Sequence, residues 1–293
     1  MAVYSLKNEA IAIAIHSKGA ELKSLKKLST GAEYMWKADP GFWGRTAPVL
    51  FPFVGSVNQK EYRTGGKTYS MNQHGFARDM EFELVSQTEN EIWFAVNDNE
   101  ETRARFPFKF VLKIGYRLLP EGVEVLWEVE NPGKEALPFS IGAHPAFNCP
   151  IAPGEEKSDC FIYFGGPDGA AGSFASTRIH DGLVINEKGT YELEAGYLAV
   201  TEHLFDCDTL LLEDYQVRKV ALCGADKKPY VTVTMDAPVY GIWTPAHAAP
   251  FICIEPWYGR CDREGFAGDL KEREWGNVAE PGEVWKRAYR ITV

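Results

Sequence analysis

Apolar and polar residues alternate with a period of two along most of this chain. The clearest stretch, "FKFVLKIGYRLLPEGVEVLWEVENPG", sets Phe110, Leu112, Ile114, Tyr116 and Leu118 on one side, turns at Pro120-Glu121-Gly122, and returns with Val123, Val125, Trp127 and Val129. A strand with one buried and one wetter face produces this spacing, and two such runs around a tight turn predict a long antiparallel hairpin. Shorter runs at "NEIWFAVND", "DTLLLED", "KVALCG", "PYVTVTMD" and "RAYRITV" end in or adjoin turn formers. The first 22 residues, charged on both sides of a short alternating run, read as a strand. Helical spacing is scarce: short helical turns are expected only near "EETRARFPF" and at "HLFDCDTL", the second reading also as a loop. Many strands with few helices predict an all-β sandwich or barrel. Without a repeat or a linker-like shift in composition, residues 1–293 are expected to form a single domain.

Composition changes this picture little. The apolar fraction of 45% and charged fraction of 25% suit a soluble globular chain and argue against disorder. A formal net charge of −10 argues against a general nucleic-acid surface or an anionic membrane partner, both of which favour basic patches. No apolar run approaches the roughly 18–20 residues of a membrane-spanning helix. Cysteines 149, 160, 207, 223, 253 and 261 show no C-x-x-C spacing, so reduced thiols in a cytoplasmic protein are expected.

Four stretches carry more chemistry than a strand requires. "FWGRTAPVLFPFVGSV" fixes Arg45 beside a wall of prolines and large apolar residues, although an arginine on an edge strand is often merely solvated. "YSMNQHGFARD" places His74 before Gly75, with Arg78 close behind; a histidine in a turn would look the same. "IGAHPAFNCP" sets His144 before a proline. "FICIEPWYGR" embeds Glu255 in an apolar strand beside Trp257 and Tyr258. That glutamate either points to water or lines a cleft. Aromatics beside a carboxylate suit a sugar pocket, where ring faces stack on C–H faces and charged groups hold hydroxyls.

Taken together, "HGFARD", "GAHPAFN" and "IEPWYG", in this order on a strand-rich chain, resemble the aldose 1-epimerase (galactose mutarotase) superfamily and in particular its LacX-like branch. The resemblance extends from the N-terminal strand through "WGRTAPVLFP" to "PGEVWKRAYRITV". It implies a large twisted antiparallel β-sandwich with a sugar site in an open cleft. It further implies Glu255 as general base, His144 as general acid, His74 as a substrate-positioning histidine and Arg45 as a substrate-facing arginine. Arg78 and Trp257 are further candidates for sugar contact. The family's hydroxyl-holding aspartate matches Asp208 best, with Asp206 and Asp214 as alternatives. Ser56 departs from the basic residue that relatives often carry after "FPxxG", which leaves the sugar's identity open.

The implied function is anomer interconversion of a hexose by an isomerase needing no metal or redox cofactor, consistent with the lack of any H-E-x-x-H, C-x-x-C, Walker or G-x-G-x-x-G pattern. Acid and base are expected on opposite sides of the hemiacetal, with the glutamate ionised and the histidine charged. Three rivals stand beside this reading. A hexose-6-phosphate epimerase would use Arg45 and Arg78 as a phosphate fork, aided by Lys60 or Arg63. A non-catalytic carbohydrate-binding sandwich would keep the cleft without turnover. A metal site would draw on His74, His144 and Glu255. The expected partner is a small sugar or sugar phosphate, and the chain is expected to be a monomer or homodimer.

Overall fold

The computed structural model describes residues 1–245 and 248–293, and its regular structure is almost entirely antiparallel strand. The hairpin expected from alternation forms as Val111–Leu119 and Gly122–Glu130, with Tyr116 opposite Val125. It lies in a ten-stranded sheet, flanked by Glu91–Asn97 on one side and Val284–Thr292 on the other. A second, eight-stranded sheet runs in the order Leu183–Glu192, Ser173–His180, Leu210–Glu213, Val239–Trp243, Phe251–Tyr258, Ile141–Ala143 and Val49–Leu50, with Ala146–Asn148 also paired to Phe251–Tyr258.

The two large sheets pack face to face. Ile114, Val125 and Ile291 of one share a core cluster with Leu212, Ile242 and Ile254 of the other. The rings of Trp127 and Tyr258 meet across this layer, 6.5 Å apart. Because successive side chains of a strand point to opposite faces, Phe251–Tyr258 sends Ile252, Ile254 and Tyr258 into the core. It sends Cys253, Glu255 and Trp257 to the other face. The all-β sandwich is thus the fold that the alternation predicts.

Several local expectations are corrected. The N-terminal run is a hairpin of Val3–Lys7 and Ile11–His16, extended by Glu21–Lys27 into a three-stranded sheet. Asn8 breaks the run because its side chain accepts from the backbone N–H groups of Ala10 and Ile11 and fixes a turn. "EETRARFPF" does form a helix, Glu100–Arg105, closed by a capping box between Asn99 and Thr102. "HLFDCDTL" is a series of turns running into a strand at Leu210. Two glycine-rich stretches that show no clear alternation hold hairpins: Glu61–Thr64 with Lys67–Ser70, and Ser173–His180 with Leu183–Glu192 around Asp181-Gly182. Asp181 and Gly182 both have positive φ, as the favoured two-residue hairpin turn requires.

Candidate functional site

His144 and Glu255 are brought together by strand register. Ile141–Ala143 and Ala146–Asn148 are two pieces of one line, interrupted at His144-Pro145. Gly142 pairs with Trp257 and Ala146 with Cys253, so the shared register places His144 across from Glu255. The interruption is held from both sides: the Pro145 carbonyl accepts from Ile254 N–H at 3.1 Å, while His144 N–H donates to Pro48 O at 3.1 Å and Ala146 N–H to Thr46 O at 2.8 Å. His144 Nε2 lies 3.3 Å from Glu255 Oε2, and both residues are buried. The two groups therefore stand side by side.

The pair lines a cavity of about 350 Å³. Trp43 stacks on the His144 ring at 4.6 Å, Trp243 meets it edge-on at 5.4 Å, and His74 lies 5.7 Å away. Trp257 fits across two glycines: a Cβ on Gly142 would come within 2.7 Å of Trp257 Cδ1, and one on Gly241 within 3.0 Å of Cζ2. Only Trp257 of the expected aromatic pair faces the cavity, because Tyr258, one residue on, points into the core. His74 and Gly75 both have positive φ. At Gly75 a Cβ would meet Phe51 O at 2.3 Å, so only glycine fits. Gly55 N–H donates to His74 Nδ1 at 3.1 Å, which leaves Nε2 to carry the proton of the neutral ring.

Electrostatics at the pair oppose full charge. Burial, then the negative Asp208, push the Glu255 carboxyl well above the carboxylate range, opposed by the Trp257 indole. Burial lowers His144 to about 3, and Arg78 and Arg45 push in the same direction against a backbone contact. His74 is held well below its ordinary value by burial, His144 and the same two arginines. The expected carboxylate and imidazolium are thus not the favoured resting forms. A neutral carboxylic acid beside a neutral imidazole nevertheless holds the same single proton, so one transfer separates the two arrangements. Glu255 Oε2, His144 Nδ1, Trp257 Nε1 and Arg78 Nε are buried without a hydrogen-bond partner among the described residues. Buried polar atoms in this state are ready to meet a polar ligand.

The remaining candidates divide. Asp208 lines the cavity, whereas Asp206 pairs with His203 at 2.9 Å on the surface and Asp214 lines a separate depression beside Glu213 and Arg260. Arg78 lines the cavity and donates to Gln73 O at 2.8 Å. Arg45 does not line it: it pairs with Asp79 at 3.0 Å in an adjoining pocket that shares Trp43 and Arg78 and also holds Lys18 and Lys23. Lys60 and Arg63 are not among the cavity-lining residues, and Arg63 donates to Ala267 O. Ser56 is a support, its carbonyl accepting from Asp262 N–H and its hydroxyl lying under Gly182 at the hairpin turn. Trp43, Trp243 and Thr209 escaped the sequence reading. Trp43 stands two residues before Arg45 and was within reach, but Trp243 alternates like any core residue.

Residues 2–292 match the sequence profile of a family described as aldose 1-epimerase. Protein LacX, chromosomal, of Lactococcus lactis subsp. lactis is 30% identical, with 98% of each chain covered. The crystal structure of a galactose mutarotase related enzyme from Lactobacillus acidophilus is 36% identical, with a TM-score of 0.91 over 99% of this chain and 97% of that one. A galactose mutarotase-like protein from Lactobacillus casei is 30% identical, with a TM-score of 0.89 over 99% of both chains.

Proposed function

Because the chain belongs to the aldose 1-epimerase family, we propose that it interconverts the α and β anomers of a hexose, with Glu255 and His144 as base and acid. The observation carrying this reading is the buried pair at 3.3 Å, facing a cavity of sugar-compatible size between Trp43 and Trp257. The one proton shared by the pair suffices. With that proton on His144, Glu255 takes the proton of the C1 hydroxyl while the imidazolium protonates the ring oxygen; the C1–O5 bond breaks and a free aldehyde forms. Rotation about C1–C2 and reversal of both transfers close the ring on the other face. Asp208 and Arg78 would hold hydroxyls, His74 would donate from Nε2, and Trp257 would stack on the sugar's C–H face. The family match over residues 2–292 supports reading 1–293 as one catalytic domain.

A phosphorylated hexose is the second reading. The adjoining pocket gathers Arg45, Lys18 and Lys23 and shares Arg78 with the cavity. One experiment addresses both: anomer exchange by NMR magnetisation transfer across free aldoses and their 6-phosphates. Glu255→Gln is expected to lower exchange by about 10²-fold or more while sparing sugar binding, and His144→Asn to lower it comparably. Full activity in Glu255→Gln would overturn the assignment of the base. Preference for 6-phosphates, lost in Arg45→Ala, would select the second reading.

A further inference from the structure

Cys253 is a fully buried thiol to which the sugar chemistry gives no work. It precedes Glu255 by two residues on Phe251–Tyr258 and so shares its face, opposite the small Ala146. Donor atoms of His144, Cys253 and Glu255 all lie within 4.8 Å of one another, and all three residues are buried. We propose that His144, Cys253 and Glu255 form a binding site for a thiophilic divalent cation, Zn²⁺ or its like, whose occupancy excludes the sugar.

The donor set suits such an ion. Thiolate, imidazole and carboxylate together offer two negative charges and the mixed soft and borderline ligands that zinc takes. The 3.3 Å between His144 Nε2 and Glu255 Oε2 is close to the edge of a tetrahedron; that edge is roughly 3.4 Å for bonds of about 2.1 Å. Any pair near the 4.8 Å limit would draw in by about 1 Å. Glu255 Oε2 has no other hydrogen-bond partner among the described residues, so binding there displaces only its contact with His144 Nε2. The cavity, lined by His144 and Glu255 with Cys253 set behind them, supplies an entry path and room for water as the fourth ligand.

Binding displaces the thiol proton and the proton shared by His144 and Glu255, so affinity rises with pH. The charged and titratable groups facing the cluster act in both directions. Asp208 acts by its charge on Glu255, Lys157 on Cys253, and Arg78 and, from the adjoining pocket, Arg45 on His144, whose ring also meets His74. Metal binding is independent of the catalytic reading; only inhibition rests on it.

The test uses the full chain carrying Cys207→Ser, which removes an exposed thiol beside the surface pair of His203 and Asp206. Titration with CoCl₂ is expected to give one equivalent of a thiolate-to-cobalt absorption band that ZnCl₂ displaces. Cys253→Ala is expected to lose the band and retain metal-free anomer exchange. ZnCl₂ is expected to inhibit the parent competitively with sugar, and roughly tenfold or more weakly in the variant. Should Cys253→Ala not fold, Cys253→Ser removes the soft ligand at nearly equal volume, and Glu255→Gln, which keeps the thiol, should weaken binding. No band, a band that survives loss of Cys253, or equal displacement by MgCl₂ would overturn the site. A metal-free parent without epimerase activity would count against the catalytic reading alone, leaving the band to decide the metal site.

Discussion

At the scale of single residues, burial decides how the site titrates. An unfolded histidine binds its proton near 6.5, whereas burial holds His144 to about 3. The native state therefore binds that proton less readily. His144 contributes stability that is complete above 6.5 and is lost as the pH falls from there towards 3. His74 acts in the same sense. Glu255 acts in the opposite one: its raised value stabilises the fold below the ordinary carboxylate range, and that contribution fades as the pH rises. The melting temperature is expected to drop between pH 6.5 and about 4.5, less steeply in His144→Asn. Equal slopes in the two proteins would show that the ring does not resist protonation. Gly75→Ala is expected to cost about 2 kcal/mol or more in a denaturant titration, since its Cβ meets a carbonyl in a backbone conformation unfavourable to alanine.

At the scale of the element, the strand carrying Glu255 is shaped by its neighbours. Gly142 and Gly241 leave the ledge on which Trp257 lies. Gly142→Ala is expected to push the indole out of place, costing about 1–3 kcal/mol by overpacking and weakening sugar binding more than turnover. The beginning of the same strand is tied by Lys157, whose buried ammonium donates to Thr244 Oγ1, Ala249 O and Phe251 O at 2.9–3.0 Å. Lys157→Met removes these bonds and leaves carbonyls in an apolar setting, an expected loss of about 3 kcal/mol in equilibrium unfolding. A neutral outcome there would mean that water enters to replace the ammonium.

At the scale of the molecule, the two sheets hold one core between them and the site lies on the far face of one sheet. Residues from Leu6 to Ile291 join the same cluster, so neither sheet keeps its apolar face without the other. Calorimetry is accordingly expected to show one cooperative transition, and two resolved transitions would overturn the single-domain reading. Placing the site outside the shared core also explains how a face with buried histidines and a carboxylate is tolerated: the polar floor interrupts a small apolar cluster around Trp257, not the main core.

The sequence by itself determined that this is an all-β chain, because period-two alternation is a local property that survives in every strand long enough to show it. It also singled out His74, His144, Glu255 and Trp257, since those residue types are conspicuous where they stand. It passed over the hairpin at Asp181-Gly182, where glycine, serine and charged residues dilute the alternation. Only the tertiary structure decided that His144 stands across from Glu255, that Asp208 and neither Asp206 nor Asp214 joins them, and that Arg45 turns aside to Asp79. Only it showed that burial disfavours the charged forms of His144 and Glu255 and brings Cys253 within reach of both. The reason is that register between distant strands and the desolvation of a side chain are set by residues far away in the chain, and no local pattern encodes them.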